Sequence, residues 1–147
     1  MRKTTSSLII HNNKILLLLR DNKPEIPDPD KWQTIGGQVE QYESFDDAIK
    51  REIKEETNLT PSDIKYYGKL NGKDFTLAFY VAHLTDEEAS SVRLGNEGQA
   101  LEFFTLDEMK NLDLSFSIRV YFEKYLPQLD KLVRGEGVPI KELGLVL

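Results

Sequence analysis

The chain has 147 residues, 39% hydrophobic and 30% charged, with a formal net charge of −6. That length suits one domain able to bury a core, and the balance excludes an intrinsically disordered chain. With no cysteine, disulfides, thiolate metal sites and cysteine nucleophiles are excluded. No block of Lys and Arg offers a patch for long nucleic acid.

Taken in chain order, "TTSSLII" and "KILLLLR" read as two strands joined by a polar turn at His11 to Asn13. The turn cuts the apolar opening into two short runs. Neither approaches the ~20 residues of a membrane span, and no signal-peptide pattern is present. A cytoplasmic chain without membrane contact is therefore expected. The unbroken run Ile15 to Leu19 predicts a strand covered on both faces. "DNKPEIPDPDK", with three prolines and four acidic residues, is a loop long enough to border a binding site. "WQTIGGQVE" reads as short extended pieces around a glycine turn.

Ser44 to Thr57 predicts a helix. Ser44 can cap it, Phe45, Ile49 and Ile53 recur every fourth residue as a core-facing stripe, and Asn58 can end it in the left-handed conformation. Ile64 to Leu70 and Phe75 to Leu84 form a hairpin around "NGKD". "ALEFFTL" adds a strand, "DEMKNL" a helical turn, and Ser117 to Leu126 a further helix. The tail beyond Pro127 carries no clear pattern, and its apolar residues from Val138 to Leu147 could cover the core or a partner subunit. Strands and helices mixed in this order imply an α/β layer fold.

The segment from Gly36 to Leu59 holds paired glycines and seven acidic residues, five of them glutamates. Glu52, Glu55 and Glu56 are spaced i, i+3 and i+4, which gathers three like charges on one side of a helix at a cost of about 0.2–0.5 kcal/mol per pair. A hard divalent cation with oxygen ligands is one group that would offset them, and magnesium suits carboxylates shared with phosphate oxygens. A merely solvated acidic face is the alternative.

The order Gly37, five residues, Glu43, seven residues, then Arg51-Glu52-Ile53-Lys54-Glu55-Glu56-Thr57-Asn58-Leu59 resembles the signature of the Nudix hydrolases, MutT-like enzymes. Eight of its nine specified positions match. At residue frequencies near ~7%, the six Gly, Arg and Glu matches alone would coincide roughly once in 10⁷ windows. Asn58 stands where the signature has glycine, and Ile35 where many members carry proline before the paired glycines. The resemblance implies a Nudix-type α/β/α sandwich, a mixed β-sheet between helices, spanning residues 1–147 as one domain. It also implies Mg²⁺ or Mn²⁺ held by Glu52, Glu55 and Glu56, with the Gly36 carbonyl completing the set.

By the same resemblance, Arg51 pairs with Glu43 and fixes the loop–helix junction, while Gly36 and Gly37 admit close backbone approach. Glu40 is a further ligand or a supporting group. Two glutamates are rival general bases: Glu55 on the helix, and Glu97 in the later loop "LGNEGQALEFF". His11 and His83 lack a nucleophile context and carry no mechanism. Among Trp32, Phe75, Phe79 and Phe103, core packing is the expectation for the phenylalanines. Trp32, beside the loop and glycine turn, is the candidate to stack on a substrate. The implied activity is a Mg-dependent pyrophosphohydrolase of a nucleoside diphosphate linked to another group. A nucleoside triphosphate, oxidised or not, is the leading substrate. A nucleotide sugar, a dinucleoside polyphosphate, or a non-catalytic nucleotide-binding module on the same fold are the alternatives. The resemblance leaves a homodimer open.

Overall fold

The computed structural model describes residues 1–147. Six strands form one mixed sheet: β1 (Arg2–His11), β2 (Lys14–Leu19), β3 (Trp32–Gln33), β4 (Ile64–Asn71), β5 (Phe75–His83) and β6 (Ala100–Phe104). The helices are α1 (Phe45–Thr57), α2 (Asp86–Ser90), α3 (Leu106–Met109), α4 (Phe116–Lys124) and α5 (Leu126–Val133), followed by a 3₁₀ turn at Ile140–Leu143. No helix is long and apolar enough to cross a membrane.

The sheet runs β3-β2-β1-β5-β4, with β6 also beside β2. β1 lies parallel to β5 from Arg2↔Phe75 to Ile10↔His83. β2 folds back on β1 through a turn whose central residues, Asn12 and Asn13, both have positive φ (50° and 60°). That is the backbone twist a two-residue hairpin needs, and asparagine tolerates it. β2 then leaves β1 and pairs antiparallel with β6. The edge so freed on β1 takes up the segment 35–38, through bridges Thr4↔Gln38 and Ser7↔Ile35. This splay puts the glycine pair against the middle of β1.

Alternation along the strands divides the core into two layers. Leu8, Ile10, Leu17, Phe79 and Val81 face Leu129, Leu132 and Leu143 of the C-terminal elements. Ile9, Leu16, Leu18, Ala78 and Tyr80 face Ile49 and Ile53 of α1 and Leu59 beyond it. The sheet thus lies between helical layers, as expected. Ser44 caps α1 by accepting from the Asp47 N–H at 3.0 Å, and Asn58 ends it at φ 63°.

The C-terminal tail is structured. Pro127 begins α5 rather than ending the chain's helices, because proline costs nothing in a first helical turn. Val138, Leu143 and Leu145 are buried in the first core layer, so these tail residues cover the core. The short α2 went unpredicted, although its Thr85–Glu88 capping box was readable. Because Ile53 is fully buried on the sheet-facing side of α1, Ile53→Ala should lower unfolding free energy by about 2–5 kcal/mol in urea titrations, the cost of a core cavity.

Candidate active site

The paired glycines sit in a crevice between β1 and α1. The Thr5 N–H donates to the Gly37 carbonyl at 2.8 Å, and the Thr4 and Thr5 hydroxyls donate to the same oxygen. No protein donor takes the Gly36 carbonyl. A Cβ on Gly36 would lie 2.3 Å from the Thr5 carbonyl oxygen, and one on Gly37 would lie 2.6 Å from the Glu52 carboxylate. Position 36 therefore requires glycine for packing against the β1 backbone, whereas a Cβ at position 37 would push the Glu52 carboxylate aside.

Across the crevice, Arg51 gathers the acidic groups. Its Nε and Nη2 donate to the two Glu43 carboxylate oxygens at 2.8 and 2.9 Å, a bidentate pair. Nη1 donates to Glu52 at 3.0 Å and to Glu55 at 3.3 Å, and Nη2 also reaches the Gln38 carbonyl at 3.0 Å. Glu40 lies 3.7 Å from Nη1. Arg51 holds the Glu43 carboxyl down at about 2. The Glu43 pairing in turn raises the Arg51 guanidinium further above its ordinary value.

The carboxylates farther along the helix are in the opposite state. Glu56 is the most deeply set, accepting only the Gly36 N–H, at 3.1 Å. Burial first, and the neighbouring Glu52 charge second, push its carboxyl up to about 8. Burial also raises Glu52, against the opposing pull of Arg51. The Glu97 charge adds a smaller upward push to both.

The Glu97 loop is held from both ends. Arg93 and Gly95 donate to the Thr57 and Glu56 carbonyls of α1, and Gln99 donates to Leu19 of β2. Glu55 is more exposed and turned toward Arg51.

No three acidic or imidazole side chains stand close enough to form a ready-made cation cage, because Glu52 and Glu55 are drawn toward Arg51. The donor set nevertheless suits a hard divalent cation: hard oxygens only, a carbonyl without a protein donor at Gly36, and a largely desolvated carboxyl at Glu56 that forms no ion pair. Glu52, Glu55, Glu56 and Gly36 are the residues that would hold it.

On the other face of Gly36 and Gly37 lies a cavity of about 400 Å³, whose walls include Arg2, Arg20, Gln33, Phe75, Phe79 and Tyr121. Trp32 does not line it. Its ring packs edge-on to Phe104 at 4.9 Å and against the core while staying partly exposed. Arg20 and Gln33 were missed in the sequence. Arg20 donates to Gln33 Oε1 at 2.9 Å and to the Pro27 carbonyl, which joins the proline loop to the cavity wall. Phe79 is buried in the core as expected and also walls the cavity, whereas Phe75 is only partly buried and lies in the cavity wall outside both core layers.

A sequence profile of the NUDIX domain matches residues 1–125. The chain is 32% identical over 108 residues to an ADP-ribose pyrophosphatase of Methanocaldococcus jannaschii, covering 71% of this chain and 62% of that one. It is 33% identical over 102 residues to the NAD-capped RNA hydrolase NudC of Mannheimia succiniciproducens, covering 67% and 38%. It thus spans less than two thirds of either relative. Among solved structures, a MutT NUDIX hydrolase from Burkholderia pseudomallei superposes with a TM-score of 0.66 at 24% identity, over 81% of this chain and 93% of that one. The NUDIX domain of Shewanella oneidensis NrtR, complexed with ADP ribose, gives 0.67 at 19%, over 86% and 87%.

The raised Glu56 carboxyl has a measurable consequence. Its stabilising, protonated form is fully present below about pH 4.5 and is lost as pH rises toward about 8. In chelator-treated protein, Glu56→Gln should be more stable than the parent at pH 8 by on the order of a few kcal/mol. That advantage should shrink as pH falls to 5, read by urea denaturation at the two values.

Proposed function

The chain belongs to the Nudix family, and on that premise we propose that it is a metal-dependent hydrolase of the phosphoric anhydride bond in a nucleoside diphosphate linked to a further group. One observation carries the reading: Gly36 and Gly37 form a wall shared by the cavity and the carboxylate cluster. A nucleoside seated among Phe75, Phe79 and Tyr121 would extend its phosphates past the glycines toward Glu52 and Glu56. Cavities of this size and lining suit small ligands.

When bound, a divalent cation, Mg²⁺ in this reading, would neutralise the charge developing on the phosphate oxygens. The protein supplies the rest. Arg51, locked by Glu43, fixes the helix face from which Glu52 and Glu55 project. Gly36 brings its carbonyl and N–H close to the reacting groups, where a residue with a Cβ could not fit. Glu97 accepts the proton of the attacking water as its oxygen bonds to one phosphorus. The bridging P–O bond breaks, and the second phosphate leaves with that electron pair. Glu97 suits this task better than Glu55, which is already committed to Arg51.

A nucleoside triphosphate, split to the monophosphate and pyrophosphate, is the substrate we propose. ADP-ribose is the second reading, favoured by the name of the archaeal relative. Phosphate release, read through a coupled pyrophosphatase or phosphatase that acts on the products, from nucleoside triphosphates (canonical and oxidised), ADP-ribose, sugar nucleotides and dinucleoside polyphosphates, with Mg²⁺, Mn²⁺ or neither, distinguishes them. Metal-dependent release from one class names the substrate, and no release from any class refutes the hydrolase reading.

The base is tested separately. Glu97→Gln should lower kcat about 100-fold or more, the scale of general-base loss, while Glu55→Gln should cost clearly less. The reverse order would transfer the role to Glu55.

A further inference from the structure

Asn58 is the position at which the chain departs from the glycine of the signature. The left-handed backbone there, φ 63°, is open to glycine and asparagine alike, so the helix end alone does not call for a side chain. The side chain is nevertheless engaged. Asn58 Nδ2 donates to the Arg93 carbonyl at 2.8 Å, a contact across 35 residues. Because that carbonyl can only accept, the contact fixes which end of the amide faces the loop.

Around this bond the loop that leads to Glu97 closes onto the helix. The Arg93 N–H donates to the Thr57 carbonyl at 3.0 Å and the Gly95 N–H to the Glu56 carbonyl at 3.2 Å. These are carbonyls of the last helical turn, which have no partner within the helix. A Cβ on Gly95 would sit 1.8 Å from the Glu55 carbonyl oxygen, which measures how near the loop backbone comes. Glu97 is two residues beyond Gly95.

We infer that Asn58 is a positioning residue: its amide helps tie the Arg93–Gly95 segment to the end of α1 and thereby sets where Glu97, two residues on, stands relative to the carboxylate helix. A glycine at this position would end the helix equally well and leave only the two backbone bonds in place. The Asn58 side chain, which the signature does not specify, thus adds a third bond between the carboxylate helix and the loop carrying the proposed base. The functional half of this inference rests on the hydrolase reading above, whereas the tether itself does not.

Asn58→Gly separates the two roles, since it keeps the left-handed cap and deletes only the amide. Amide hydrogen exchange at Arg93 and Gly95 should quicken by about 3–10-fold, the scale of one net hydrogen bond, while the melting temperature falls by no more than about 2–4 °C. kcat should fall by a similar factor with KM unchanged. In a Glu97→Gln background the same substitution should change kcat by less than about twofold, the non-additivity expected of residues acting as one unit. Asn58→Asp, which sets a carboxylate against the Arg93 carbonyl, should be worse than Asn58→Gly on both readouts.

Unchanged exchange at Arg93 and Gly95 would overturn the tether. Faster exchange with an equal kcat loss in both backgrounds would overturn its action through Glu97. If the unsubstituted chain turned over no substrate, the hydrolase reading would fall, and the exchange measurement would still judge the tether.

Discussion

The site depends on one guanidinium. Glu40, Glu43, Glu52 and Glu55 all lie within 4 Å of Arg51, and the same group takes the Gln38 carbonyl. Without a fixed cation these carboxylates would repel one another across a narrow crevice. The cation is fixed because Glu43 grips it at two points, and Glu43 is itself anchored by the Glu40 N–H at 3.0 Å. An Arg fork can serve several oxygens at once in a set geometry, which a lysine ammonium on a flexible stem cannot. The helix face, the 38–43 segment and the glycine turn therefore take their mutual positions from this residue.

Within that frame, identical side chains are driven to opposite states. Glu43, gripped by Arg51, is held near 2, whereas Glu56, out of water and beyond Arg51's reach, is pushed up to about 8. The separation comes from environment alone: a bidentate cation in one case, desolvation beside a like charge in the other. An enzyme needs carboxylates of both kinds, some committed to architecture and some left unsatisfied until a ligand arrives.

Much of this could be read from the residues in order, for reasons that are local. α1 was legible because its stripe, its Ser44 cap and its Asn58 terminus lie within one continuous segment. The glycine–glutamate spacing was legible because the chemistry fixes residue type and interval together. What stayed hidden depends on contacts between distant segments. Pro127 looks like a stop in one dimension, yet it opens α5 once Tyr125 has ended α4. Trp32 adjoins the glycine turn in sequence, but its ring is drawn to Phe104, a partner the chain supplies only much later. The Arg20–Gln33 pair and the Asn58 amide were unreadable for the same reason, since their partners, Gln33 on β3 and Arg93 in a later loop, come from other segments.

The parallel pairing of β1 with β5 bears on how the molecule assembles. Each register partner is more than seventy residues from its mate, with the glutamate helix and the β4 strand in between. Such non-local pairings cost much loop-closure entropy before they repay it, and they slow folding. The β1–β2 hairpin and α1 can begin from local signals. The crevice that joins them cannot close until β5 docks and completes the floor beneath α1. On a growing chain, the acidic helix would therefore exist before the surface that organises it, and the site would form late and all at once.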